Sequence, residues 1–117
     1  MPNIIQVRNV LLKAPAVIIP PSSYVGPGDI VSGAFAWYGL RGYNAAYATG
    51  SNPALDLVDQ ANANPLTANI LSNGRLDVAS ISAWVTANSV STIKVKRWYD
   101  QSGNARHVNQ ATLSKMP

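Results

Sequence analysis

Three prolines within seven residues, Pro15, Pro20 and Pro21, bracket the most apolar stretch of the chain, Ala16-Val17-Ile18-Ile19. Each lacks a backbone donor and pushes its predecessor out of the helical region, so this stretch can be neither a helix nor a central strand. An extended arm is what remains, and Ile18 and Ile19 must be covered by something. Upstream, Asn3 to Lys13 also reads as extended chain, with Ile5, Val7 and Leu11 on one face and Gln6, Arg8 and Val10 on the other. The pattern is imperfect, because Asn9 falls on the apolar face. Tyr24-Val25-Gly26-Pro27-Gly28-Asp29 has turn chemistry and closes the segment. Residues 1–29 are therefore expected to form an extended N-terminal arm, and residues 30–117 a small body. Ile4, Ile5, Val7, Val10, Leu11, Val17, Ile18 and Ile19 are the candidate assembly residues of the arm. Such an arm can dock on a neighbouring subunit by strand addition. It can equally be an edge strand and crossing loop of its own domain.

A chain of 117 residues fits one domain. At this size roughly 60–70% of the unfolded surface can be buried, enough for a modest core. The apolar fraction of 47% argues against a disordered tail, while the charged fraction of 12% is low for a soluble domain. A surface poor in charge resembles the centre of an interface, or is simply neutral and rich in Asn, Ser and Thr. The net charge of +4 is mildly basic. There is no Cys, which removes disulfides and thiolate chemistry. With one His and no Glu, a His-rich metal site is excluded, and any acid/base pair must come from five Asp residues. No run approaches the ~18 apolar residues of a membrane span. Met1-Pro2-Asn3 has no basic side chain, so no targeting signal is expected.

Within the body, Ser32 to Tyr47 reads as a helix, with Ala36, Leu40, Tyr43 and Tyr47 in one stripe, a Ser32 cap, and Gly50 just beyond the end. Gly39 and Gly42 weaken it by roughly 1 kcal/mol each and suggest close approach of another backbone. Arg41, beside the stripe, can reach a carboxylate. Pro53 to Val58 and Pro65 to Leu71 read as short strands separated by a polar turn, and Asn73-Gly74 is a turn signal. Asp77 to Ala87 is the clearest helix. Asp77 caps it, Leu76 staples onto Ile81, Val78, Ile81, Trp84 and Val85 form its apolar face, and Asn88 ends it in a left-handed conformation. Thr92 to Tyr99 is the clearest strand, alternating Ile93, Val95, Arg97 and Tyr99 with Thr92, Lys94, Lys96 and Trp98. A tight turn over 100–104 follows, then a last strand over Val108 to Leu113.

Little here is suited to catalysis. A glycosidase needs two carboxyl groups flanking the scissile bond. Asp77 reads as a cap, Asp100 as a turn former accepting backbone hydrogen bonds, and Asp56 and Asp59 as solvated residues near a strand end. His107, the one imidazole, has no G-x-S-x-G partner and reads as a surface residue beside Arg106. Lys94, Lys96, Arg97, Arg106 and His107 interleave with Trp98 and Tyr99, a pattern that can bind nucleic acid. The stronger reading of alternate lysines is an edge strand protected from unwanted pairing, so a nucleic-acid partner is not expected. Trp37, Tyr38, Trp84, Trp98 and Tyr99 are candidates for sugar stacking or for core, with Trp37 and Trp98 the candidate glycan platform. No cofactor, metal or membrane partner is expected.

One stretch is distinctive: Trp98-Tyr99-Asp100-Gln101-Ser102-Gly103-Asn104, followed by Asn109-Gln110-Ala111. It resembles a segment of the catalytic domain of the arabinofuranosidase B family, a concanavalin A-like β-sandwich with similar modules in bacteriophage tail, fibre and other virion proteins. Ala36-Trp37-Tyr38-Gly39-Leu40-Arg41, Ala54-Leu55-Asp56-Leu57-Val58 and Leu76-Asp77-Val78-Ala79 through Trp84-Val85 resemble upstream pieces of that domain in the same order. The likeness covers about residues 30–115 and only the beginning of the family domain. The family's acid and nucleophile lie further downstream, so no catalytic residue transfers; the motif at 98–104 transfers as a structural turn. The resemblance implies an α+β, β-rich body like part of a jelly roll or β-sandwich, with two short helices. It also implies a non-enzymatic virion subunit (capsid-decorating, connector or fibre-anchoring) that packs on other virion proteins or on itself as a homo-oligomer. The alternatives are a glycan-binding module, or the N-terminal part of an arabinofuranosidase-like glycosidase or longer tail fibre.

Overall fold

The computed structural model describes residues 24–117. The arm residues Ile4, Ile5, Val7, Val10, Leu11, Val17, Ile18 and Ile19 lie outside them. In chain order the elements are α1 (Pro27–Ile30), β1 (Asn52–Val58), β2 (Pro65–Ile70), α2 (Val78–Ala87), β3 (Lys94–Trp98) and β4 (Val108–Asn109), ending in a 3-10 turn at Leu113–Lys115. The four strands form one sheet in the order β2-β1-β3-β4, antiparallel throughout. With α2 packed beside β2, this is a small α+β body.

The β1–β2 hairpin is closed by Asp59. Its carboxylate accepts from Ala63 N at 2.8 Å, Asn64 N at 3.3 Å and Asn64 Nδ2 at 2.8 Å, and Asn62 takes a positive φ of 54°. Asp59 is buried rather than solvated, because these donors replace water around its oxygens. The Asn64 side chain and the Ala63 N–H hold its carboxyl below the ordinary value. Asp56 is also engaged, as described below.

Two bulges decide which side chains face the core. Between β1 and β2 the register shifts across Pro53/Leu55; between β1 and β3, Asp56 pairs with Arg97 and Leu57 with Val95, leaving Lys96 as the extra residue. A one-residue insertion reverses the facing of everything beyond it. Ala54 and Leu55 are thus consecutive and both buried, and Val95 and Trp98 both pack on the core. The strict alternation expected for residues 92–99 would have set Trp98 opposite Val95. The core itself is Ala48, Ala54, Leu55, Leu57, Ala68, Ile70 and Trp84.

Helix α2 begins where its sequence requires: Asp77 accepts from Ser80 N at 3.1 Å and Ser80 Oγ at 2.6 Å. Leu76, Ile81, Trp84 and Val85 pack on the core, but Val78 is exposed, so the apolar face is narrower than expected. At the other end Asn88 has φ −112°, and the left-handed position is Ser89 at +51°. Asn88 instead donates from both N and Nδ2 to Trp84 O.

Five further expectations need correction. Residues 32–47 form turns and bends, not a helix. Arg41 is bridged by its backbone to Arg75 rather than directed at a carboxylate; among the described residues the ion pair present is Arg97–Asp56. Strand β4 is two residues long, not six, and the chain after it runs along the outer edge of β3, where Gln110 N donates to Lys96 O and Val95 N to Pro117 O. Strand β3 is therefore interior, and Lys94 and Lys96 guard no open edge. Finally, residues 27–30 make a turn of helix, closed by Asp29 accepting from Gly26 N at 2.8 Å.

Candidate functional site

The motif at 98–104 acts at long range. Asp100 leaves β3 buried, and its Oδ1 accepts from Trp37 N and Ser102 N, both at 2.9 Å, while Oδ2 accepts from Arg106 N at 3.1 Å. Gln101, 2% exposed, accepts from Tyr43 N at 2.8 Å and donates to Gly39 O at 2.9 Å; its own N–H donates to Trp37 O. Asn104 Nδ2 donates to Ala34 O at 2.9 Å and Phe35 O at 3.0 Å. Gly103 at φ +92° and Ala105 at +54° provide the reversal that brings these side chains together.

The clamp explains the missing helix. Backbone groups of residues 34, 35, 37, 39 and 43, which a helix would use internally, are held by side chains of Asp100, Gln101 and Asn104. Burial alone would raise the Asp100 carboxyl, but the N–H groups of Trp37, Ser102 and Arg106 and the Ser102 hydroxyl outweigh it and hold the group at about 2. Such a carboxylate is a fixed acceptor, not a proton carrier near neutral pH. His107 accepts from Asp100 N at 3.0 Å through Nδ1 and meets Tyr99 edge-on, at 5.0 Å between ring centres.

Two surfaces flank the clamp. On the sheet face away from the core, Asp56 accepts from Thr67 Oγ1 at 2.8 Å and Tyr99 OH at 2.9 Å and lies 3.9 Å from Arg97 Nε. Arg97 also donates to Asn109. Burial pushes the Tyr99 hydroxyl up, and Arg97 and Asp56 act on it in opposite directions. Asp56, Thr67, Arg97 and Asn109 line a groove of about 370 Å³ with Lys96 and Gln110. Its Arg97 and its carboxylate are already engaged with one another, so the face is a cross-strand network rather than an open acid/base pair.

The second surface is apolar. Val25, Pro27, Ile30, Val31, Ala34, Trp37 and Tyr43 line an open groove of about 560 Å³ between α1 and the clamped segment. Ile30 is 76% exposed, Val31 72% and Phe35 72%. Phe35 has Arg106 3.8 Å from its ring centre. The described part of the expected arm forms one wall of this groove and is tied to the body. Tyr24 OH donates to Gly42 O at 2.7 Å, Gly28 N donates to Tyr43 O at 2.7 Å, and Asp29 accepts from Ala45 N at 2.7 Å. A Cβ at Gly26 would fall 2.4 Å from Tyr43 O, so only glycine allows this approach.

The sequence-derived candidates are thus dispersed. Of residues 98–104, Asp100, Gln101 and Asn104 form the clamp, while Trp98 packs on the core and Tyr99 joins the Asp56 network. Trp37 and Trp98 do not share a platform: Trp98 packs on the core, Trp37 lies 5.9 Å from Tyr43 between ring centres, and both indole N–H groups are buried. The apolar groove was missed, because Val25, Ile30 and Val31 fall on either side of the expected arm–body boundary; their lack of charge was the available signal. Among the described residues, no three His, Cys, Asp or Glu side chains gather as metal ligands, and no helix is long and apolar enough to cross a membrane.

No protein-family model, curated protein or solved structure matches the chain.

Proposed function

We propose that the chain is a non-enzymatic structural subunit of a bacteriophage particle, packing against neighbouring subunits in the virion. The observation that carries the assembly part is the exposed apolar surface of Val25, Ile30 and Val31 along one groove, on a chain of which only 12% is charged. Contiguous apolar area of this kind marks contact with another macromolecule. The virion setting rests on the resemblance of residues 98–104 and their upstream pieces to modules of phage tail and fibre proteins. Within that reading the four-stranded sheet is one layer of a partial β-sandwich, and the motif at 98–104 is the structural turn that organises it. A capsid-decorating, connector or fibre-anchoring position fits equally.

The internal saturation of Asp56, Arg97 and Asp100 supports a structural rather than a catalytic role. The glycan alternative depends on Trp37 or Trp98 as a stacking platform, and the packing of Trp98 on the core favours assembly instead.

The test is incorporation. The intact chain is expected in purified particles by mass spectrometry, and a chain lacking residues 2–21 is expected to be lost from them. Particles that never contain the chain refute the virion role, and unchanged incorporation of the shortened chain refutes docking through the arm.

A further inference from the structure

We propose that the apolar groove beside α1 is the seat for residues 17–19 of a second copy of this chain, so that two chains exchange N-terminal arms. This deepens the assembly reading and rests on it. The groove has Ile30 and Val31 on one side and Trp37 and Tyr43 on the other, with no charged residue in its lining. An apolar recess of this kind is matched by apolar chain that brings no charge to be stripped of water. The protein supplies such a segment itself. Ala14 to Ser23 is ten residues without a charge, with Val17-Ile18-Ile19 at its centre.

The path of the chain favours a neighbour's arm over its own. The arm joins the body at Tyr24, next to Val25 of the groove's lining. Tyr24 is fixed there by its hydroxyl on Gly42 O, and its ring occupies the space a Cβ on Gly74 would need. For a chain's own residues 17–19 to lie in the groove beside its residues 25–31, residues 20–23 would have to supply a reversal of the chain. Pro20 and Pro21 fix φ near −65° and disfavour helical backbone at the residues before them, so this sequence favours continued extension at ~3 Å per residue. A neighbour's arm needs no such reversal. Reciprocal exchange also fills two grooves about one two-fold axis.

The test uses the full chain and sedimentation velocity. The intact protein is expected to be a dimer. Ile30→Asp alters a solvent-exposed side chain of the groove, and Ile18→Asp alters the arm; each is expected to give monomer with an unchanged far-ultraviolet circular dichroism spectrum. Val31→Asp repeats the groove test should Ile30→Asp disturb folding. Mixed in equal amounts, the arm variant and the groove variant are expected to dimerise again, more weakly, because one intact groove then meets one intact arm. An intact chain that is monomeric at every concentration overturns the proposal; its groove is then filled by its own arm or serves another protein. A dimer that survives both substitutions, or a mixture that stays monomeric, overturns it as well. Monomeric protein that still enters particles refutes arm exchange alone, while a dimer absent from particles refutes the virion role alone.

Discussion

Asp100 accepts hydrogen bonds from the N–H groups of Trp37, Ser102 and Arg106 at 2.9 to 3.1 Å, and Trp37 lies 63 residues before it in the chain. Replacing it with Ala leaves three donors without an acceptor, and a buried unsatisfied donor costs about 1–3 kcal/mol. Asp100→Ala is expected to lower stability by about 3 kcal/mol or more in urea denaturation. The acid dependence follows from the carboxyl being held at about 2 in the fold, below its ordinary value of 3.8. A group whose pKa is lower in the folded state contributes fully above the unfolded value, and that contribution is lost as pH falls through the folded value. The stability gap between the natural chain and Asp100→Asn is therefore expected to be constant above about pH 5 and to narrow as pH falls from about 4 to 2. A gap independent of pH in that window contradicts this. The sequence shows Asp100 as a turn former, which it is. It cannot show Trp37 as the partner, because nothing local in either segment encodes a contact across such a separation.

At the scale of elements, the parts with strong local signals are where the sequence puts them. Asp77 with Ser80 starts α2, the polar run after Val58 turns the hairpin, and Asn73-Gly74 reverses the chain with Gly74 at φ +78°. The failures have two physical causes. In residues 32–47 the helical stripe is real as spacing, but the backbone partners a helix needs are taken by the clamp, and tertiary bonds override a weak local preference. In β3 no Gly or Pro marks the bulge at Lys96, so simple alternation places Trp98 on the wrong face. Deleting Lys96 removes the bulge and leaves Val95 and Trp98 two residues apart, so regular alternation is expected to keep both facing the core. Expelling Trp98 would forfeit roughly 1.5–3 kcal/mol of burial, so the expected result is no loss of that size in chemical denaturation and unchanged tryptophan emission. Red-shifted emission with a loss of that size would show that the deletion turns Trp98 outward, and contradicts this.

For the whole molecule, the decisive quantity is the kind of surface it offers. The groove beside α1 is lined only by apolar or glycine residues apart from the Trp37 and Tyr43 rings, and each chain carries a net charge of +4. Association through that groove is driven by removing apolar area from water, which near room temperature is entropic and weakens on cooling. Charge contributes only a mild mutual repulsion, which added salt screens. Association of the intact chain, followed by sedimentation equilibrium, is therefore expected to tighten between about 5 and 25 °C, and to stay level or tighten slightly from about 0.05 to 0.5 M NaCl. A surface working through Lys94, Lys96, Arg97 and Arg106 against an acidic partner or nucleic acid behaves oppositely, losing affinity steeply as salt rises. The two dependences have different signs in the same titration. Loss of self-association with salt would move the interface from the groove to the basic residues around β3, while loss on cooling alone keeps it on Ile30 and Val31.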